Sequence, residues 1–314
     1  MLFRRLKFLG VLVALVVVLL GGSYLFAPQW LLRAHEMRQA MAANVEEHTL
    51  RSGDTTWSYY EGGQGPTLVL LHGFAADKTV WLPLAEQLTA HFHVVIPDLP
   101  GWGESSRNPG ADYGVPAQAQ RLQAFVDALR LQRFVLVGHS MGGAIAGVYA
   151  ARHPQGVAAL ALLDTYGLKG NPNDFDRSIS AGRNPFVYDD RAGFERALKL
   201  AFLQPPDVPG RIEDVFVERN RQNRAFIERT MAELRQPDDY LSLQRVLGEL
   251  TVPVLGLWCH DDRVVDPSAL DSLRNGLVQA PAISSSVLNG CNHMPMMEKP
   301  EATAQVLTGF VLGR

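Results

Sequence analysis

Three residue types, scattered along the chain, can together turn an ordinary alcohol into a nucleophile. Ser140 lies in Gly138-His139-Ser140-Met141-Gly142, a G-x-S-x-G run. The apolar Phe134-Val135-Leu136-Val137 precedes it and Gly143-Ala144-Ile145-Ala146-Gly147 follows, which predicts a strand reversing into a helix within one tight turn. Such a turn strains the backbone at the serine, and glycines on either side let neighbouring backbone approach closely. The hydroxyl is then raised above the sheet edge, beside a helix N-terminus, where negative charge is favoured. The plainer alternative is a Gly-rich turn with an incidental serine; the flanking elements and the partners below weigh against it.

A serine hydroxyl is a weak nucleophile until a base takes its proton, and the base needs a third group to fix its tautomer. Asp261 and Asp262 follow the apolar run Val252 to Trp258, and His293 follows Ile283 to Leu288. Each sits just past a strand, so serine, acid and histidine can converge on one rim of a sheet. Of the nine histidines, His293 is favoured because it follows the last strand. His72 reads as a structural hydrogen-bonding residue, His139 as the variable neighbour of the nucleophile, and His260 as a weaker rival. Asp262 is preferred to Asp261, because Arg263-Val264-Val265 follows it as a loop turning into a helix. Asp164, at the end of an earlier strand, is a third candidate whose plainer role is a loop cap. The developing oxyanion needs two backbone N–H donors, for which Met141 and Phe74 are placed. Asp98, Trp102, Ser105 and Ser106 shape a pocket wall, and Asp77 caps the helix after the Phe74 loop.

The positioning elements follow from the apolar pattern. Thr55 to Glu61, Thr67 to Leu71, Val94 to Ile96 and Val157 to Leu163 read as further strands, with helices over about 79–90 and 116–129 between them. Strands alternating with helices predict an α/β fold with a mostly parallel central sheet and helices on both faces. From Thr165 to about Leu250 the pattern is helical throughout, which predicts a helical cap (165–250) inserted between two parts of the core (48–164 and 251–314). Its apolar stripes, Phe194, Ala197, Leu198, Ala201 and Phe202 and then Phe226, Ile227, Met231 and Leu234, read as packing surfaces. At 314 residues and 47% hydrophobic, the chain can bury one large core and a subdomain.

Phe8 to Phe26 carries no charge and follows Arg4, Arg5 and Lys7. A run of that length can cross a bilayer core, and the cations favour a cytoplasmic N-terminus with the remainder exported. The expected organisation is an anchor over 1–27 and a juxtamembrane helix over 28–47, in which Trp30, Ala34, Met37, Met41 and Val45 share a face. A cleaved signal peptide is the alternative, but the run is long for one and no Ala-x-Ala site follows it. Without the three leading cations the net charge of −3 falls near −6, so no nucleic-acid partner is expected. The two cysteines, Cys259 and Cys291, lack metal-ligand spacing. Just past neighbouring strands, they are either a disulfide formed in an oxidising compartment or two buried thiols.

Taken together, Leu70-Leu71-His72-Gly73-Phe74-Ala75-Ala76-Asp77-Lys78, Pro97-Asp98-Leu99-Pro100-Gly101-Trp102-Gly103-Glu104-Ser105, Gly138-His139-Ser140-Met141-Gly142-Gly143-Ala144, Asp262-Arg263-Val264-Val265 and Cys291-Asn292-His293-Met294-Pro295 resemble the α/β-hydrolase superfamily. Within it the likeness is to bacterial family V lipases and membrane-anchored monoacylglycerol lipases, over about residues 55–310. The resemblance implies Ser140, Asp262 and His293 as a catalytic triad, Phe74 and Met141 at the oxyanion hole, and no cofactor. Cys259 and Asn292 stand where glycines are usual, which alters loop geometry but removes no catalytic atom. The expected activity is hydrolysis of acyl esters such as monoacylglycerols through an acyl-enzyme, near a membrane. Two alternatives carry over: a carbon–carbon bond hydrolase on the same triad, and a non-catalytic small-molecule receptor.

Overall fold

The computed structural model describes residues 2–313; Met1 and Arg314, the outermost residues of the expected anchor and core segments, lie outside them. Eight strands form one sheet in the order β1-β2-β4-β3-β5-β6-β7-β8. They are β1 (Val45–Ser52), β2 (Thr55–Gly62), β3 (Thr67–Leu71), β4 (His93–Pro97), β5 (Phe134–His139), β6 (Val157–Leu163), β7 (Val254–Cys259) and β8 (Ile283–Leu288). β1 and β2 pair antiparallel, and β2 meets β4 antiparallel. From β4 through β8 every pair is parallel. The mostly apolar β3, β5, β6 and β7 lie inside the sheet and are largely buried on both faces, as such runs must be. β8, with Ser284, Ser285 and Ser286, is the exposed edge.

The helices are α1 (Leu2–Phe26), α2 (Pro28–Ala42), α3 (Leu82–Leu88), α4 (Val115–Ala128), α5 (Met141–Arg152), α6 (Asp174–Ser180), α7 (Arg191–Ala201), α8 (Gly210–Leu234), α9 (Ser242–Val246), α10 (Ala269–Gly276), α11 (Pro295–Glu298) and α12 (Pro300–Leu312). Apolar clusters cover the two faces of the sheet. One joins Trp57, Phe125, Tyr149 and Trp258 with α4, α5 and α10; the other joins Trp81, Leu88, Phe92 and Leu307 with α3 and α12. Between β6 and β7 the chain is helical, with α6 to α9 lying over the carboxyl ends of the strands and no strand among them. Phe194, Ala197, Ala201 and Phe202 are buried there, as are Phe226, Ile227 and Leu234.

One boundary differs from expectation. The juxtamembrane helix ends at Ala42 rather than Glu47. Asn44 turns the chain at φ 50°, and Val45 opens β1, paired with Gly62 of β2. Val45 is buried, so its apolar side chain serves the sheet and not the helix stripe. The same spacing of apolar residues fits a helix end and a strand start, and only pairing with β2 separates them. Among its described residues α1 has none buried, and Arg4–Phe26 is long and apolar enough to cross a membrane.

Cys259, the last residue of β7, and Cys291, just past β8, form a disulfide, with Cα atoms 5.3 Å apart. The bridge ties the loop carrying Asp262 to the loop carrying His293. It closes a loop with a sequence separation of 32, and its loss is expected to cost about 3–4 kcal/mol by the loop-closure estimate. Urea denaturation of Cys259→Ser/Cys291→Ser against wild type measures this; a cost below about 1 kcal/mol contradicts it.

Candidate active site

Ser140 ends β5 and begins α5 at φ 52°, ψ −120°, a conformation that L-residues avoid. The turn is held from all sides. Its N–H donates to Leu163 O at 3.0 Å, and its carbonyl accepts from Gly143 N and Tyr166 N at 3.0 and 3.1 Å. The two motif glycines have distinct steric reasons. A Cβ on Gly138 would lie 2.4 Å from Gly142 O, and one on Gly142 would lie 2.4 Å from both Leu71 O and His72 O. β5 and α5 therefore close on each other only without a side chain at Gly138, and β3 and α5 only without one at Gly142. Ser140 itself is 7% exposed.

The structure brings His293 and Asp262 into contact: Nδ1 lies 2.9 Å from Oδ2, with both side chains buried. The carboxylate can only accept, so Nδ1 carries the proton and Nε2 is left with its lone pair. Asp262 Oδ1 accepts from Val264 N and Val265 N at 2.8 and 3.0 Å, which fixes the carboxylate plane. Asp261 points away, toward His260 at the surface. Asp164 lies at the end of β6, wholly buried. Its Oδ1 accepts from Cys259 N at 2.8 Å.

His139 is more than a variable neighbour. Its Nε2 donates to His293 O at 2.7 Å, and the two rings meet at a 53° tilt with centroids 4.7 Å apart. Burial, then the facing His293, holds its pKa well below the usual histidine value, so it stays neutral. His72 is also neutral, lowered by burial to about 4. It donates from Nδ1 to Gly73 O and accepts Leu99 N at Nε2, joining the loops after β3 and β4. Between them runs Phe74, whose ring meets Trp102 edge-on at 5.3 Å. Neither Phe74 N–H nor Met141 N–H has an acceptor among the described residues.

Two residues escaped the sequence reading. Asn292 joins three segments: Oδ1 accepts Arg263 N at 2.8 Å, Nδ2 donates to Leu200 O at 2.7 Å, and its N–H donates to Glu298 at 2.8 Å. Its departure from glycine was the one available signal. Lys78 is 2% exposed, with its N–H and Nζ each 2.7 Å from the buried Asp98 carboxylate. Nζ also meets Glu47 at 3.0 Å and Glu104 at 3.1 Å. Burial opposes its charge, but Asp98, Glu104 and Glu47 hold the ammonium above the ordinary lysine range. Burial and then Asp77 push Asp98 up to about 6, which leaves it ionised beside Lys78 at neutral pH. Asp77 accepts from Thr79 N at 2.9 Å as a helix cap.

Two cavities flank the centre. One of about 450 Å³ lies among Arg33 and Glu36 of α2, the Ala75–Thr79 segment, Trp102 and α8. The other, about 930 Å³, lies between Ile179 and Val187 on one side and Met231 of α8 on the other. Ser140 lines neither of these two cavities.

A strained serine between strand and helix, a buried histidine–carboxylate pair on the same rim and an inserted helical roof define a class. Residues 66–300 match the alpha/beta hydrolase fold family, and the chain belongs to that family. It is 30% identical to Lipase 3 of Moraxella sp. over 85% of this chain and 84% of that one. It is 28% identical to the bovine monoacylglycerol lipase ABHD6, over 96% of this chain and 93% of the relative. A solved bacterial membrane phospholipase A is similar at 37% identity and a TM-score of 0.87, over 98% of both chains. The protein is an enzyme, a carboxylic ester hydrolase of the lipase and esterase kind. A 2-hydroxy-6-oxo-6-phenylhexa-2,4-dienoate hydrolase from Rhodococcus shares the fold at 22% identity and a TM-score of 0.71.

Replacing Lys78 by Met leaves the Asp98 carboxylate buried without its partner, which is expected to cost about 3–5 kcal/mol. Lys78→Met/Asp98→Asn is expected to recover part of that loss. Denaturant melts of the two variants check this, and an unchanged single variant contradicts it.

Proposed function

We propose that this protein hydrolyses acyl esters of membrane-derived lipids, monoacylglycerols among them, through a triad of Ser140, His293 and Asp262. The observation that supports it most is the buried 2.9 Å bond between His293 Nδ1 and Asp262 Oδ2, on the same sheet rim as a serine at φ 52°. In this reading His293 Nε2 takes the Ser140 proton as Oγ attacks the ester carbonyl. The Phe74 and Met141 N–H groups receive the oxyanion, a contribution of about 3–4 kcal/mol per donor in comparable sites. The imidazolium, stabilised by Asp262, returns its proton to the leaving alcohol. Water then cleaves the acyl-enzyme by the same path in reverse.

The substrate class is supported by the relatives, which are named for monoacylglycerols, for lipids and for phospholipids, and by α1. In this proposal α1 stays in the membrane with its N-terminus cytoplasmic, and the catalytic part lies outside, in the periplasm if the cell is bacterial. The Cys259–Cys291 bridge suits an oxidising compartment. The carbon–carbon bond hydrolase alternative has the fold in its favour, but no observation in the site selects it.

Ser140→Ala is expected to lower kcat on a monoacylglycerol presented in mixed micelles by roughly 10⁴-fold or more, with the fold and the disulfide intact. Turnover within tenfold of wild type overturns the proposal.

A further inference from the structure

The buried carboxyl of Asp164 has no part in the mechanism above, yet it touches the machinery. We propose that Asp164 is a positioning residue, a neutral carboxylic acid that donates a hydrogen bond to the Asp262 carboxylate and so orients it toward His293. This rests on the triad reading. Asp164 is wholly buried at the end of β6. Its two oxygens have different surroundings. Oδ1 accepts from Cys259 N at 2.8 Å, whereas Oδ2 is buried with no donor within reach. One carboxylate oxygen of Asp164, one of Asp262 and a ring nitrogen of His293 all lie within 4.8 Å of one another.

Two bare carboxylates so close in a buried place repel, and one of them takes a proton. Asp262 already has three donors: His293 Nδ1, Val264 N and Val265 N. Asp164 has one, Cys259 N. The proton therefore goes to Asp164, on the oxygen that lacks a donor, and its O–H finds its acceptor in Asp262. Burial and then the Asp262 charge raise the Asp164 pKa well above the carboxylate range, with Glu298 adding to the rise. Asp262, Glu298 and His293 are the titratable groups facing it, and none of them is a fixed cation that would keep it ionised.

The backbone adds an independent sign. Asp164 sits at φ 43°, a left-handed conformation uncommon for residues other than glycine. Its N–H is tied to Leu257 O at 2.9 Å. With the backbone so held, the side chain is buried against the end of β7 through Cys259 N, instead of turning to solvent as a plain loop cap would. Asparagine tolerates the same backbone and can mimic the neutral acid: its oxygen accepts from Cys259 N and its amide donates to Asp262.

The test uses the full-length protein in detergent micelles, with kcat and KM on p-nitrophenyl butyrate from pH 6 to 10 for wild type, Asp164→Asn, Asp164→Ala and Asp262→Asn. Asp164→Asn is expected to keep kcat within about threefold. Asp164→Ala is expected to lose about 10- to 100-fold in kcat at unchanged KM, the scale of one lost hydrogen bond to a buried charge. A wild-type-minus-Asp164→Asn infrared difference spectrum at pH 8 is expected to carry the carbonyl band of a neutral carboxylic acid. Asp164→Asn falling as far as Asp262→Asn, or a carboxylate band in place of the acid band, overturns the proposal. So does Asp164→Ala at wild-type kcat. Full activity in Asp262→Asn instead removes the triad reading beneath it. Thermal melts separate a folding defect in Asp164→Ala from a rate defect, and the asparagine variant decides the matter if alanine does not fold.

Discussion

The structure depends on holding one non-glycine residue in a left-handed conformation at the end of a buried strand. Ser140 at φ 52° is stable only because its neighbours leave the chain no alternative. β3 closes over the turn through Leu71 and His72 carbonyls that reach the Cα of Gly142, and Gly143 packs against Thr165 at the start of the next connection. A strained backbone of this kind costs of order 1–3 kcal/mol and persists only where the surroundings over-determine it. Here they do, because β3, β5 and β6 are parallel, adjacent and almost wholly buried.

The rim around that turn is hydrogen-bonded to the cap. His293 N–H donates to Ala201 O at the end of α7, and Asn292 reaches Leu200 O beside it. The disulfide fixes the far side of the same loops. A shift of the histidine loop relative to α7 would break both bonds, which couples the proposed base to the cap. On the opposite side the Lys78–Asp98 pair pins the segment after Phe74 to β1 through Glu47. Both devices work by leaving buried polar atoms partnered where they are and unpartnered anywhere else.

Much of this was legible in the chain. The apolar β3, β5, β6 and β7 announced themselves by composition, and the alternation with helices gave the parallel sheet. Ser140 and Asp262 were singled out because each follows such a strand and His293 because it follows the last one, β8, and the structure sets Asp262 and His293 in contact. What stayed hidden depends on through-space pairing. Val45 fits either a helix end or a strand start until β2 lies beside it. Lys78 and Asp98 are twenty positions apart in the sequence, and nothing local tells a buried lysine from a surface one. Asn292 could be noticed as a departure from glycine, but its three partners come from three separate segments. Neighbouring strands left open whether Cys259 and Cys291 pair, because only the 5.3 Å Cα separation of the two loops brings the sulfurs within bonding reach.

In the proposed mechanism Ser140 alone among the hydroxyls of this chain is made nucleophilic by its surroundings. Reaction of the folded, full-length protein with a fluorophosphonate, followed by peptide mapping in a mass spectrometer, tests it directly. The account predicts a single stoichiometric phosphonyl adduct on Ser140, formed rapidly near neutral pH and lost on denaturation before labelling. An unlabelled Ser140 peptide in folded protein, or an adduct confined to another side chain, contradicts it.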